Sequence, residues 1–125
     1  MNRALGLAAA ALGASAVALG AFGAHALRGK IDDAMLMVWH TADDYQFWHA
    51  LAVLAIAGFA PRGVKWWARA GWAMVVGSVI FAVTLYAVAL GAPRWIGAVT
   101  PFGGLLLIAG WILSGIAFWC SASSK

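Results

Sequence analysis

The chain has 125 residues, of which 65% are hydrophobic and only 10% are charged. Ordinary soluble domains run about 45–50% apolar and about 25% charged, and the mean hydropathy here is +0.91. A soluble enzyme, a disordered tail and a nucleic-acid-binding module all fit poorly; the composition predicts one integral membrane domain spanning residues 1–125. A single cysteine, Cys120, excludes an internal disulfide framework and any multi-thiolate metal site.

The charged residues divide the chain into long uncharged runs. A helix needs ~20 apolar residues, within a range of ~17–25, to cross a hydrocarbon core of ~30 Å. In lipid the backbone must satisfy its own hydrogen bonds, so such runs are expected to be helices. The first is placed at residues 4–27. Its Arg3 start, Ala-rich middle and Ala24-His25-Ala26 end resemble a secretory signal, but the apolar stretch exceeds the usual ~7–15 residues of a signal's middle region. It also carries Gly6, Gly13 and Gly20 at seven-residue spacing. Such a stripe lets a neighbouring backbone approach closely, which a disposable signal does not need. The first helix is therefore expected to be retained.

Residues 31–44 form the next element. Ile31, Ala34, Met35, Val38, Trp39 and Ala42 recur at amphipathic-helix spacing, with Asp32, Asp33, Leu36, His40, Asp43 and Asp44 on most of the other face. This pattern predicts an interfacial helix lying along the outer membrane surface. It is contiguous with the second span, placed at 45–60, and running straight into it would relieve that span's shortness. The segment Arg62, Lys65, Trp66, Trp67 and Arg69 then mixes basic and aromatic side chains. Three positive charges are few for a nucleic-acid groove, so these residues are read as headgroup-level lipid anchors. The third span is placed at 70–91, with Gly71, Gly77 and Ser78 as small residues. The fourth is placed at 102–120, following Pro101, and repeats the seven-residue stripe as Gly103, Gly110 and Ala117. The predicted fold class is an all-α membrane protein: a four-transmembrane-helix bundle with one interfacial amphipathic helix between helices 1 and 2.

Orientation follows from Lys and Arg in the short loops. Arg3, Arg62, Lys65, Arg69 and Lys125 fall on one side, against Arg28, Lys30 and Arg94 on the other. This favours N-in/C-in and places Cys120 near the reducing cytoplasmic face.

Four crossings would gather the polar residues of the spans on the outer side: His25 at the end of helix 1, Tyr45, Gln46 and His49 at the start of helix 2, Tyr86 late in helix 3 and Thr100 before helix 4. Tyr45, Gln46 and His49 share a helix face. Polar groups inside membranes are costly and usually face the protein interior or a cavity. The structural reading has the imidazoles hydrogen-bonding neighbouring helices. The functional reading pairs His25 with His49 around a metal, haem or quinone headgroup at the outer face, or makes one a proton-responsive switch. Two histidines without nearby carboxylates or thiolates fall short of a metal motif, so no metal or cofactor is assigned. His40 is read as solvated. No nucleophile–base–orienter set and no paired carboxylates within a span point to catalysis. The leading expectation is a non-enzymatic structural or accessory protein acting through helix packing. Its expected partners are the bilayer and other membrane subunits or itself, with no nucleic acid.

The motifs carry a resemblance. Gly20-Ala21-Phe22-Gly23-Ala24-His25 resembles the GAFGAH signature of the transmembrane protein 256 / YgdD family. Thr41-Ala42, Tyr45-Gln46 and His49-Ala50-Leu51 are similar to its TA..YQ..HAL stretch, and Phe81 to Tyr86 to its F…LY element. Thr100-Pro101-Phe102-Gly103-Gly104 with Ala109-Gly110-Trp111 resembles its TPxGG…AGW stretch. The likeness runs from near the N-terminus to about residue 113 and implies a small four-helix protein of the bacterial inner membrane, without an established substrate, reaction or cofactor. Gly20, Phe22, Gly23, His25, Tyr45, Gln46, His49, Thr100, Pro101, Gly103 and Gly104 carry over as motif positions only. Asp43-Asp44 departs from the pattern, which usually has an apolar residue there followed by a variable one.

Overall fold

Three of the four long helices begin where a local feature satisfies or removes a free N–H group. In the computed structural model, which describes residues 1–61 and 63–123, α1 (Arg3–Phe22) is capped by Asn2, whose side chain accepts from the Leu5 amide at 3.2 Å. Asp32 does the same for α2 (Asp33–Phe59), accepting from Met35 N at 2.8 Å. α3 (Lys65–Ala89) ends at Leu90, followed by Gly91 at φ 96°, a backbone conformation that glycine adopts without strain. A single helical turn, α4 (Arg94–Gly97), precedes α5 (Thr100–Ala122), where Pro101 occupies the first turn and gives up no intrahelical bond there. Between α1 and α2 lies a five-residue π turn, Gly23–Leu27. The described residues contain no strand.

The expected interfacial helix and second span are one continuous helix, α2. The later part of the stripe assigned to the membrane surface instead faces protein: Trp39 and Ala42 are buried, with the Trp39 ring 4.5 Å from that of Tyr86 and 5.7 Å from that of Phe22, whereas Ala34 is exposed and Leu36, placed on the opposite face, packs against this cluster. Helical periodicity put Trp39 and Ala42 on the apolar face but could not say what covers it. α3 starts earlier than the expected 70, at Lys65. Trp67, read as a headgroup anchor, is a core residue. It is buried, donates from Nε1 to Ser121 Oγ at 3.3 Å and meets Phe118 edge-on at 4.5 Å. Lys65 and Arg69 are exposed, and the Arg69 guanidinium lies 4.8 Å over the Trp66 ring. Arg62 and Lys125 lie outside the described residues.

The helices pack in chain order: α1 on α2, α2 on α3, α3 on α5, with α1 also touching α3. Small residues set the register. A Cβ added to Gly6 or Gly13 would meet Ala57 at 3.9 Å or Ala50 at 3.8 Å, and one on Gly20 would fall 2.6 Å from Asp43 Oδ2. The seven-residue stripe of α1 therefore lies against a matching series, Asp43, Ala50 and Ala57, running the opposite way on α2. On α5, Gly103 and Gly110 face α3 at Gly77 and Phe81 and at Ala70 and Met74. The backbone of α5 comes near only α3 and α4 among the described elements. An apolar groove of about 700 Å³ consequently opens between α2 and α5, with Trp67 and Met74 of α3 along it. Among the described residues, three stretches are long and apolar enough to cross a membrane: Arg3–Leu27, Lys65–Ala89 and Arg94–Ala122.

The α3–α5 contact is backbone to backbone, so a single methyl group tests it. A Cβ at Gly103 would fall 2.5 Å from Phe81 N and 2.9 Å from Gly77 O, whereas one at Gly58 meets nothing within 4 Å. Gly103→Ala is expected to cost about 1–3 kcal/mol by overpacking. Gly58→Ala is expected to be neutral or to stabilise by up to about 1 kcal/mol through helix propensity. Denaturant unfolding of the two variants in mixed micelles distinguishes these outcomes.

Candidate functional site

Gln46 is the hub of the interior. Its register opposite α1 places the amide beneath Leu12 and Ser15, and Nε2 donates to Leu12 O at 2.9 Å and to Ser15 Oγ at 2.7 Å. Ser15 can accept because its own proton is directed back to Ala11 O at 2.7 Å. From the other side Tyr86 Oη donates to Gln46 Oε1 at 2.9 Å. One side chain, 4% exposed, thus joins α1, α2 and α3 with both amide hydrogens used.

His49 lies one turn further along α2 and is 6% exposed. Its Nδ1 is 2.7 Å from Tyr45 O, and its Nε2 is 3.1 Å from Trp111 Nε1. The indole can only donate, so Nε2 accepts, and Nδ1–H donates to the carbonyl. That assigns the neutral Nδ1–H tautomer and leaves neither nitrogen free for a metal. The bond also reaches across the groove, tying α2 to α5 where their backbones do not meet.

The six residues expected to cluster divide into four sets. Gln46 and Tyr86 bond directly. Tyr45, 37% exposed, packs its ring against His49, Trp48 and Phe81. Thr100 pairs with Thr84 at 2.7 Å, linking α5 to α3. His25 sits exposed on the π turn. The proposed His25–His49 ligand pair does not form. With Gly13 against Ala50, His49 lies level with about residue 14 of the first helix, roughly 15 Å along the axis from His25 at 1.5 Å per residue. The polar residues therefore extend to the middle of the paired helices rather than gathering at one end. Among the described residues no group of three or more His, Cys, Asp or Glu is placed to hold a metal.

Four participants are not singled out by sequence pattern: Ser15 and Thr84 carry no local signal, Trp111 appears only as part of a motif, and Trp39 reads as a ring at the membrane surface. Trp39 Nε1 in fact donates to Leu19 O at 2.9 Å, and a Cβ on Gly23 would lie 2.5 Å from its ring. The Leu19 carbonyl is shared with the Gly23 amide, just where the helix widens into the π turn, and a side chain bonding into the ladder is a recognised cause of such a change. Two buried side-chain atoms have no hydrogen-bond partner among the described residues, Asp43 Oδ1 and Ser78 Oγ.

Interhelical hydrogen bonds in membranes average about 0.6 kcal/mol and reach about 1.7 kcal/mol. Gln46→Ala removes three of them and is expected to cost about 2 kcal/mol. Gln46→Ala and Tyr86→Phe, measured singly and together, are expected to be non-additive, because the two share one bond.

The chain matches the family described as "Protein of unknown function (DUF423)" over residues 19–104, a stretch that starts just before the Gly20 motif and ends on Gly104. It is 43% identical over 104 residues to UPF0382 membrane protein YwdK of Bacillus subtilis (strain 168), covering 82% of this chain and 85% of that protein. It is 45% identical over 100 residues to a UPF0382 membrane protein of Staphylococcus haemolyticus, covering 78% and 80%. A third relative, from Staphylococcus aureus (strain USA300), is 46% identical over 105 residues, covering 82% and 84%. No solved structure matches the chain. With a family match across most of its length and relatives of nearly its own size, this chain belongs to the DUF423 (UPF0382) family of membrane proteins, a family of unknown function.

Proposed function

We propose that this protein is a non-enzymatic, multi-pass structural or accessory protein of the bacterial inner membrane that acts through helix packing. The observation that carries this reading is the use made of its interior polar groups. Gln46, His49, Trp39 and Thr84 each make at least one hydrogen bond to another helix, in the manner of interhelical glue. The likeness of its motifs to the transmembrane protein 256 / YgdD family is compatible with the DUF423 membership and belongs to the same proposal. Its partners are the bilayer and other membrane subunits or a second copy.

The proposal includes four crossings, arranged as a bundle with both termini in the cytoplasm. Support comes from the pairing of α2 with α1. The contacts from Gly6–Ala57 to Gly23–Trp39 span roughly 25 Å at 1.5 Å per residue, nearly a full hydrocarbon thickness. A helix lying beside a membrane span over that length crosses with it. Its three aspartates, Asp33, Asp43 and Asp44, stand in its first half, toward one surface.

Reporter fusions near Asp32 and after Ser123 test the topology. Four crossings put them in opposite compartments, whereas a non-crossing α2 puts them in the same one. The packing role is tested on protein purified in mild detergent. The expected preparation shows no Soret band and no stoichiometric metal, and His49→Ala unfolds about 0.6–1.7 kcal/mol more easily with an unchanged spectrum. A chromophore or metal lost on His49→Ala overturns the reading.

A further inference from the structure

The groove between α2 and α5 is closed at one end and open at the other. The His49–Trp111 bridge closes it, the indole Nε1 donating to the imidazole at 3.1 Å. From there it runs past Ser114 and Phe118 to Ala122 on α5, and from Ala52 to Pro61 along the other wall. The eleven steps from Trp111 to Ala122, at 1.5 Å each, make it roughly 16 Å long. That is about half of a ~30 Å hydrocarbon core, the depth of one leaflet.

The walls decide what can fill it. Ser114 Oγ donates to Gly110 O at 2.9 Å, Ser121 Oγ to Ala117 O at 2.7 Å and Trp67 Nε1 to Ser121 Oγ at 3.3 Å. These polar groups are thus engaged inside the protein, and the groove suits hydrocarbon. Spread over that length, its volume of about 700 Å³ gives a mean cross-section of roughly 45 Å², about half that of an α-helix ~10–12 Å across. A partner helix would also have to continue past the bridge, whereas an acyl chain can end there.

The open end is basic. Arg3, Lys65 and Arg69 are exposed, and α1 is held at this end by the Asn2 amide, which donates to Ala57 O at 3.0 Å. The four acids of the chain, Asp32, Asp33, Asp43 and Asp44, all lie toward the opposite end, at the start of α2. A smaller hollow of about 310 Å³, lined in part by Lys65 and Asn2, adjoins the groove and shares Ala60, Pro61 and Trp67 with it.

We propose that this groove binds one acyl chain of an anionic phospholipid, with the chain between α2 and α5 and the headgroup beside Lys65. Basic pockets between spanning helices suit anionic headgroups, and each Lys or Arg near the surface strengthens binding about fivefold. The site rests on the crossing of α2 proposed above, which in the proposed orientation opens the groove to the cytoplasmic leaflet. The chain supplies packing that α5 lacks, since its backbone comes near only α3 and α4 among the described elements.

The test is native mass spectrometry of the full chain, purified in mild detergent and titrated with phosphatidylglycerol or with phosphatidylcholine of the same chains. The parent is expected to hold one phosphatidylglycerol at least about fivefold more tightly than phosphatidylcholine. Lys65→Gln, at an exposed position, is expected to remove about fivefold of that preference. Ala55 is exposed on the groove wall, so Ala55→Trp fills the groove without overpacking the core and is expected to abolish the bound lipid. Leu7→Trp, on an exposed face of α1 outside the groove, is expected to keep it. A second copy of the chain in place of the lipid, equal binding of the two headgroups, or a lipid retained by Ala55→Trp would each overturn the proposal. Reporter fusions that share one compartment overturn the crossing itself, whereas four crossings with no lipid held overturn this site alone.

Discussion

The close approach of α1 to α2 is the constraint from which the rest of the interior follows. Glycine on one helix and alanine on the other, both at seven-residue spacing, let the two backbones meet at Gly6–Ala57 and Gly13–Ala50. Membrane helices gain little from hydrophobic association, so van der Waals contact of this kind holds them. Once the two series are aligned, Gln46 has Leu12 O and Ser15 Oγ in front of it, and its oxygen points to α3. A shift by one residue would turn that amide away from its acceptors and leave it buried and unsatisfied, at a cost of several kcal/mol. The small residues permit the approach and the amide selects the register.

Much of this was legible in the sequence, and what was not has a physical explanation. Helix existence followed from uncharged length, and the glycine stripes of α1 and α5 were identified as contact surfaces, which the backbone contacts of Gly103 and Gly110 support. The complementary series Asp43, Ala50 and Ala57 was present too, but one aspartate within it hid the pattern. Pairing the two series would have exposed Ser15 as a partner of Gln46. Trp67 and Trp39 were misplaced for a shared reason. A tryptophan near a span end fits both a headgroup anchor and a buried donor, and the choice depends on whether a carbonyl or hydroxyl from another helix lies within reach. Leu19 O and Ser121 Oγ are twenty and fifty-four positions away in the chain, a separation that local pattern cannot span.

The histidines illustrate the same division. Their type and membrane setting made both worth weighing as ligands, but only depth could decide, and depth is a property of register. His49 falls beside the middle of α1 and is engaged on both nitrogens, while His25 lies on an exposed turn. What remains is a set of polar residues that specifies which helices meet and at what height, a role attested for buried polar groups in other helical assemblies.

The attachment of α5 differs in kind from that of the other long helices. It leans on α3 alone, through glycine contacts, the Thr84–Thr100 pair and the Trp67 edge, with the Trp111 indole as its strut to α2. The three preceding helices are cross-braced by Gln46 without any contribution from it. The molecule is thus a braced tripod with a hinged leaf. Thermal opening should begin by swinging that leaf outward, widening the cleft beneath Trp111 while the tripod stays shut.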